Sequence, residues 1–80
     1  FFYEHLAARF AAKEAVFKAF GDGKTRLIKW KEIEILNDEN GKPTVVLHGN
    51  AERALKANRI VLSMSHTEKY AVANAAIVKR

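Results

Sequence analysis

The sequence contains no cysteine, only one proline and four glycines among its 80 residues. Without cysteine the chain forms neither a disulfide framework nor a zinc site built on thiolates. No apolar run approaches the roughly 20 residues of a membrane span. The start of the chain lacks the basic segment followed by an apolar one that marks a signal peptide. These absences predict a cytoplasmic protein that does not enter the membrane.

The composition is that of a small globular domain. Hydrophobic residues make up 49% and charged residues 29% of the chain, which excludes a disordered tail. A single domain over residues 1–80 builds one core worth only about 3 to 5 kcal/mol, so we expect oligomerisation to add stability. The net charge of +5 favours an anionic partner, and charge alone leaves open whether it is nucleic acid, a phosphorylated cofactor or an acidic protein.

A long helix is predicted from about Tyr3 to Phe20. Its large apolar residues recur at helical spacing and form one predicted core stripe, which comprises Leu6, Phe10, Phe17 and Phe20. Gly21-Asp22-Gly23 follows directly, and glycine just past a helix end is a common stop. The pattern therefore predicts one helix of about five turns that ends at this glycine turn.

The rest of the chain alternates strand-like segments with turn formers. The predicted elements are a strand over Trp30–Leu36, a hairpin turn over Asn37–Pro43, a strand over Thr44–His48, a short helix capped by Asn50 and reaching about Asn58, and strands over Arg59–Ser63 and Tyr70–Val78. Repeated strand-helix-strand units are missing. We therefore predict an α+β fold, with one long and one short helix packed on a small antiparallel sheet. The alanine-rich last strand is expected to pack against the long helix or against another subunit.

Three charged residues on the predicted long helix stand out. Lys13 falls inside the apolar stripe, where either its stem covers apolar surface while its head reaches water, or its charge has a function. Glu14 and Lys18 lie beside the stripe, four residues apart. Such a pair is either a surface ion pair worth about 0.3 to 0.5 kcal/mol or part of a site. Neither observation distinguishes its alternatives.

Three segments together resemble the phosphopantetheinyl transferase family, in family order and spacing, over nearly all 80 residues. They are the helix and turn from Arg9 to Gly23 with its Lys-Glu-Ala triplet, the Gly41-Lys42-Pro43 segment followed by Val45, and Ser63-Met64-Ser65-His66-Thr67. The resemblance is to the short, acyl carrier protein synthase type. It implies that family's fold and a homotrimer with active sites between subunits.

The resemblance also implies a reaction. It is the transfer of 4'-phosphopantetheine from coenzyme A to a serine of apo acyl carrier protein, dependent on Mg²⁺, in fatty acid biosynthesis. By this resemblance Glu14 ligates the metal and Lys18 contacts the coenzyme A phosphates. A carboxylate suits Mg²⁺, which fills its other positions with water and substrate phosphate. Since carrier proteins are typically acidic, the positive charge of this chain suits that partner.

The remaining cofactor contacts come from the same resemblance. Arg9, Gly21 and Gly23 border the cofactor, and Lys42 and Pro43 flank the adenine. Ser65, His66 and Thr67 meet the ribose and its 3'-phosphate, where short polar donors suit a phosphate monoester. His66 taken alone is more often a turn residue than a functional one. His5 and His48 have no motif around them and are assigned no function.

Two departures from the family pattern bear on these expectations. The family begins with a strand carrying Gly-x-Asp, whose aspartate is a second metal ligand, and nothing before Phe1 or elsewhere in this sequence supplies it. We therefore expect an N-terminally incomplete domain that on its own transfers little. Asp22 stands where the family has threonine, which places a negative charge near the phosphates. The alternatives are a non-catalytic fragment and a basic nucleic-acid-binding module, and the latter lacks evident aromatic stacking platforms.

Overall fold

The computed structural model describes residues 2–21, 23, 26–66 and 69–79, and the side chains of residues 2–5 and of His66 lie outside that description. The elements are helix α1 (Phe2–Ala19), a 3-10 turn (Trp30–Glu32), strands β1 (Ile33–Asn37) and β2 (Pro43–Leu47), helix α2 (Gly49–Leu55), and strands β3 (Arg59–His66) and β4 (Ala71–Val78). The α+β fold class is confirmed. None of these helices combines the length and hydropathy needed to cross a membrane.

The described strands form two antiparallel pairs rather than one sheet. β1 pairs with β2 from Ile33 opposite Leu47 to Asn37 opposite Pro43. β3 pairs with β4 from Arg59 opposite Val78 to His66 opposite Ala71. β3 thus runs three residues beyond its predicted end at Ser63, because Ser65 and His66 continue the ladder with Val72 and Ala71.

Helix α1 presents to the core a face that only partly overlaps the predicted stripe. Ala12 and Val16 are buried, as is Phe20 directly after the helix, and Phe17 packs against the core, whereas Leu6 is 50% and Phe10 59% exposed. The prediction that Leu6 and Phe10 belong to the core was wrong. The small face of α1 lies on the alanine-rich β4, with Ala73 and Ala75 packed against the core. Small side chains on both elements permit close approach, so Leu6 and Phe10 are left at the side of the helix.

The short helix also begins differently from the prediction. His48 precedes the first helical residue, and Gly49 rather than Asn50 opens α2. Asn50 lies inside the helix, and its side-chain amide donates a hydrogen bond to the Leu27 carbonyl at 2.9 Å. The Asn50 cap was therefore wrong: Asn50 lies one residue inside the helix, and its side-chain oxygen, the group a cap would use, accepts a hydrogen bond from Arg53 instead.

Candidate active site

Glu14 and Lys18 lie one turn apart on α1 and form an ion pair. Lys18 Nζ is 3.3 Å from Glu14 Oε1, and the two side chains are 74% and 47% exposed, respectively. An exposed pair of this kind adds about 0.3 to 0.5 kcal/mol to stability. The fold therefore depends little on either residue, and both side chains are accessible to a ligand.

The donor chemistry of Glu14 fits Mg²⁺. Magnesium takes one or two protein carboxylates and keeps water or phosphate oxygens in its remaining positions. Within the described residues no cluster of three or more His, Cys, Asp or Glu side chains is present. A full protein cage is thus absent from that part of the chain, whereas a single carboxylate beside a lysine matches a metal that also binds substrate phosphate.

The helix ends beside Lys18 in the predicted glycine turn. Gly21 has a φ of +81°, and its N–H donates to the Lys18 carbonyl at 3.0 Å. Glycine adopts this left-handed conformation without the steric cost that a side chain brings. The stop at Gly21 is confirmed. Asp22 lies outside the described residues.

Arg9 lies on a different side of α1 from Lys18, since nine residues correspond to a rotation of about 180° around the helix. Arg9 lines an open hollow of about 240 Å³ together with Gly41 and Pro43. The fold therefore brings two of the predicted cofactor contacts, Arg9 and Pro43, to one hollow. Neither Glu14 nor Lys18 lines it.

The turn that carries Lys42 and Pro43 is organised by Asp38. Asp38 Oδ1 accepts hydrogen bonds from the Asn40 and Lys42 N–H groups at 2.9 and 2.8 Å. Gly41 adopts a φ of +81°, which completes the turn. Lys42 itself is exposed and lines a separate hollow of about 410 Å³ with Pro43 and Arg59. Sequence reasoning identified the turn but assigned no role to Asp38.

The third predicted motif lies at the end of β3. Ser65 is exposed and pairs with Val72 across the ladder, and the backbone of His66 pairs with Ala71. The His66 side chain and Thr67 lie outside the described residues, so their predicted cofactor contacts stay predictions. The described part of the motif is at the opposite end of β3 from Arg59.

A groove between α1 and β1 brings Arg9 and Lys13 together with Lys31 and Glu34, which the sequence did not single out, and with His48. Its volume is about 500 Å³. His48 Nε2 lies 3.0 Å from Glu34 Oε1. Glu34 faces Val46 across the hairpin, so His48 is its diagonal neighbour. The pairing register of the β1–β2 hairpin is the signal that could have shown that His48 lies beside Glu34.

The structure gives Lys13, whose charge could be structural or functional, a contact inside the chain. Its ammonium lies 5.2 Å from the centre of the Trp30 ring, and Phe10 and Phe17 contact the same ring at 5.4 and 5.9 Å between centroids. A lysine over a tryptophan face is stabilised by about 0.5 to 1 kcal/mol at such exposed sites. The charge of Lys13 therefore has a structural partner in the Trp30 ring.

Comparisons with family models, curated sequences and solved structures all return members of one family. Residues 2–75 match the family model described as "4'-phosphopantetheinyl transferase superfamily". The holo-[acyl-carrier-protein] synthase of Chloroherpeton thalassium is 49% identical over 71 residues, and that of Chlamydia trachomatis serovar D is 51% identical over 73 residues. A solved structure titled "ACPS-CoA complex", from Chronobacterium ammoniagenes, superposes with a TM-score of 0.77 at 31% identity.

The alignments cover most of this chain but a smaller share of each relative. The alignments cover 89% and 91% of this chain but 58% and 60% of those two synthases. The solved complex is matched over 96% of this chain and 65% of its own. The chain thus spans less than two thirds of the length of the curated relatives it matches.

Proposed function

Because this chain belongs to the 4'-phosphopantetheinyl transferase superfamily, we propose that it transfers 4'-phosphopantetheine from coenzyme A to a serine of apo acyl carrier protein. The serine hydroxyl attacks the phosphorus that bears pantetheine. A new P–O bond forms, the pyrophosphate P–O bond breaks, and 3',5'-ADP leaves while the serine proton is lost. We place this reaction in the cytoplasm and in fatty acid biosynthesis.

The observation that carries the proposal is the Glu14–Lys18 pair beside the glycine turn. Both side chains are accessible, and Gly21 lets the backbone leave the helix next to Lys18. Glu14 would hold Mg²⁺, which supplies charge neutralisation on the pyrophosphate. Lys18 would neutralise the phosphate charge that develops during transfer, since such catalysis depends mainly on positioning and electrostatics.

Several of the other proposed cofactor contacts lie around two hollows of the chain. Arg9, Pro43 and Met64, the neighbour of Ser65, line one hollow, while Lys42 and Pro43 line a second one. We propose a homotrimer in which residues of neighbouring subunits complete each site.

The decisive test compares Glu14→Gln with wild type in the full-length protein. We expect loading of apo acyl carrier protein, measured by mass spectrometry, to fall at least about 100-fold, the usual effect of losing an electrostatic catalytic group. The circular dichroism spectrum and unfolding midpoint should stay unchanged, because the exposed pair adds so little stability. Glu39→Gln, in the exposed hairpin turn, is the matched control and should load at the wild-type rate.

Calorimetry with coenzyme A and Mg²⁺ distinguishes the proposal from nucleic-acid binding. We expect heat on adding coenzyme A with Mg²⁺, and less heat for Lys18→Ala. If coenzyme A gave no heat while duplex DNA bound with a steep salt dependence, the protein would be a basic nucleic-acid-binding module and the transferase proposal would be wrong.

A further inference from the structure

The hairpin turn between β1 and β2, which we call the Asp38 turn, comprises residues 38–43, and one residue binds most of its backbone N–H groups. Asp38 Oδ1 accepts the N–H groups of Asn40 and Lys42 at 2.9 and 2.8 Å. The Asp38 carbonyl accepts the Gly41 N–H at 2.9 Å, and the Asp38 N–H donates to the Lys42 carbonyl at 2.8 Å. Three consecutive N–H groups of the turn are thus occupied by Asp38.

The backbone groups that the Asp38 turn leaves free are acceptors. Pro43 follows Lys42 and has no N–H of its own. The carbonyls of residues 39–41 accept none of the hydrogen bonds within the described part of the chain. A ligand that meets residues 40–43 therefore finds carbonyl oxygens and no free backbone N–H group.

The Asp38 turn forms one wall of the hollow that Arg9 also lines. Gly41 and Pro43 belong to the turn, and Ile35 and Met64 add apolar surface. Such a place suits a flat ring, whose faces pack on apolar side chains while its polar edge meets the backbone of the turn. An exocyclic amino group on that edge donates to a carbonyl, whereas an oxo group would meet a second acceptor.

We propose that Asp38 determines base specificity at this hollow, because it occupies the N–H groups of the turn and leaves only carbonyls available to a nucleotide base. The inference rests on the proposed transferase function, in which Lys42 and Pro43 flank the adenine of coenzyme A. Adenine carries an amino group and is accepted, whereas hypoxanthine carries an oxo group at the same ring position and is rejected. Asp38 acts through the turn, so it is a positioning residue.

The test compares two donors, coenzyme A and the analogue in which hypoxanthine replaces adenine, in the full-length protein. Loading of apo acyl carrier protein, followed by mass spectrometry, gives KM and kcat for each donor. We expect the wild-type KM to be at least about tenfold higher for the analogue, since its oxo group leaves the carbonyls of the turn unpaired. In Asp38→Ala this ratio should fall below about threefold, because freed N–H groups donate to the oxo group. The kcat for coenzyme A should change less than about twofold.

Three matched variants show whether the acceptor oxygen of Asp38 is responsible. Asp38→Asn keeps an acceptor oxygen at the same position and should retain the wild-type ratio of KM values. Glu39→Ala removes a neighbouring exposed carboxylate that accepts none of the described hydrogen bonds, and it should also behave as wild type. Asp38→Ser forms the same kind of turn more weakly and should give an intermediate ratio. It replaces Asp38→Ala in the test if circular dichroism shows that the alanine variant does not fold.

The outcomes separate this inference from the proposed function. A wild-type ratio in Asp38→Ala, or in Asp38→Ser where the alanine variant does not fold, would overturn the inference. A wild type that uses both donors equally well would overturn it too, and loading of carrier protein would still support the transferase proposal in both cases. Loss of the preference in Asp38→Asn would show that charge rather than the acceptor oxygen matters, which contradicts the inference. If wild type binds neither donor in calorimetry and loads no carrier protein, both proposals fail.

Discussion

Glu32 shows how one side chain couples two segments of this small fold. Its carboxylate accepts the Lys29 N–H at 2.7 Å and the Asn50 N–H at 2.6 Å, and its carbonyl accepts the His48 N–H at 2.8 Å. Gly49 has a φ of +55°, and a Cβ at this position would collide with the same carboxylate. Glu32 and Gly49 together therefore fix the start of α2 against the 3-10 turn.

The hydrogen bonds to Glu32 predict a pH dependence of stability. The Lys29 and Asn50 N–H groups lower the pKa of the Glu32 carboxyl below its ordinary value, against a smaller opposing effect of desolvation. A lowered carboxyl pKa stabilises the fold above the unfolded-state pKa of about 4.3, and this contribution is lost as pH falls through the folded-state pKa. Glu32→Gln should therefore unfold at lower urea concentration than wild type at pH 7, with the difference shrinking toward pH 3.

The control for this prediction is Glu39→Gln, which changes the same charge in the exposed hairpin turn. Its urea midpoint should differ little from wild type at every pH. If the Glu32→Gln difference were the same at pH 7 and pH 3, its origin would be packing rather than the charge of the carboxylate.

At the scale of elements, the contact between α1 and the β3–β4 pair decides which helix face is the core. Val16 is fully buried, and the inward residues of the strand pair, including Leu62 and Ala75, pack against the same core. Phe10 is 59% exposed and contacts Trp30 at the side of the helix. The smaller side chain is therefore the one that stabilises the fold more.

This arrangement predicts an unusual order of destabilisation. Val16→Ala should cost about 2 to 3 kcal/mol, since it removes two buried methyl groups and leaves a cavity. Phe10→Ala should cost about 1 kcal/mol, because it loses mainly the contact with Trp30. Urea unfolding of both variants measures the difference. A larger loss for Phe10→Ala would mean that the large apolar stripe, not the small face, is the core side of the helix.

At the scale of the whole molecule, the outward face of the β3–β4 pair is the surface that we expect the subunits of the trimer to bury. Val61 is 48% and Val72 55% exposed, and Ser63 and Asn74 face each other between them. Small, mostly uncharged side chains on a paired sheet allow another subunit to approach closely. The proposed trimer would bury this face.

The trimer is tested by light scattering and by thermal unfolding at several concentrations. We expect a trimer whose melting temperature rises with concentration, because association stabilises only the folded chain. Val61→Asp should weaken the trimer and lower that melting temperature, whereas Leu36→Asp, which makes the matching change on the exposed face of β1, should leave the trimer intact. A folded monomer at all concentrations would contradict the trimer and the sharing of sites between subunits.

The sequence by itself determined the elements, the family and the chemical types at the site. Helical spacing, the glycine stop at Gly21 and the turn formers around Gly41 are local signals, and each predicted its element to within a few residues. The pairing of Glu14 with Lys18 is equally local, because residues four apart on a helix face each other. These features depend on neighbours along the chain, which a sequence states directly.

Only the tertiary structure decided which surfaces these elements bury and which residues meet. Periodicity places Phe10 and Val16 on different faces of α1, but the alanines of β4 select the Val16 face, since they allow the closest packing. Asn50 has the chemistry of a cap, yet its side-chain amide donates to the Leu27 carbonyl and its oxygen accepts from Arg53. Arg9 meets Pro43 and His48 meets Glu34 only after the hairpin folds. Contacts between residues distant in sequence depend on packing, and packing is a property of the whole chain.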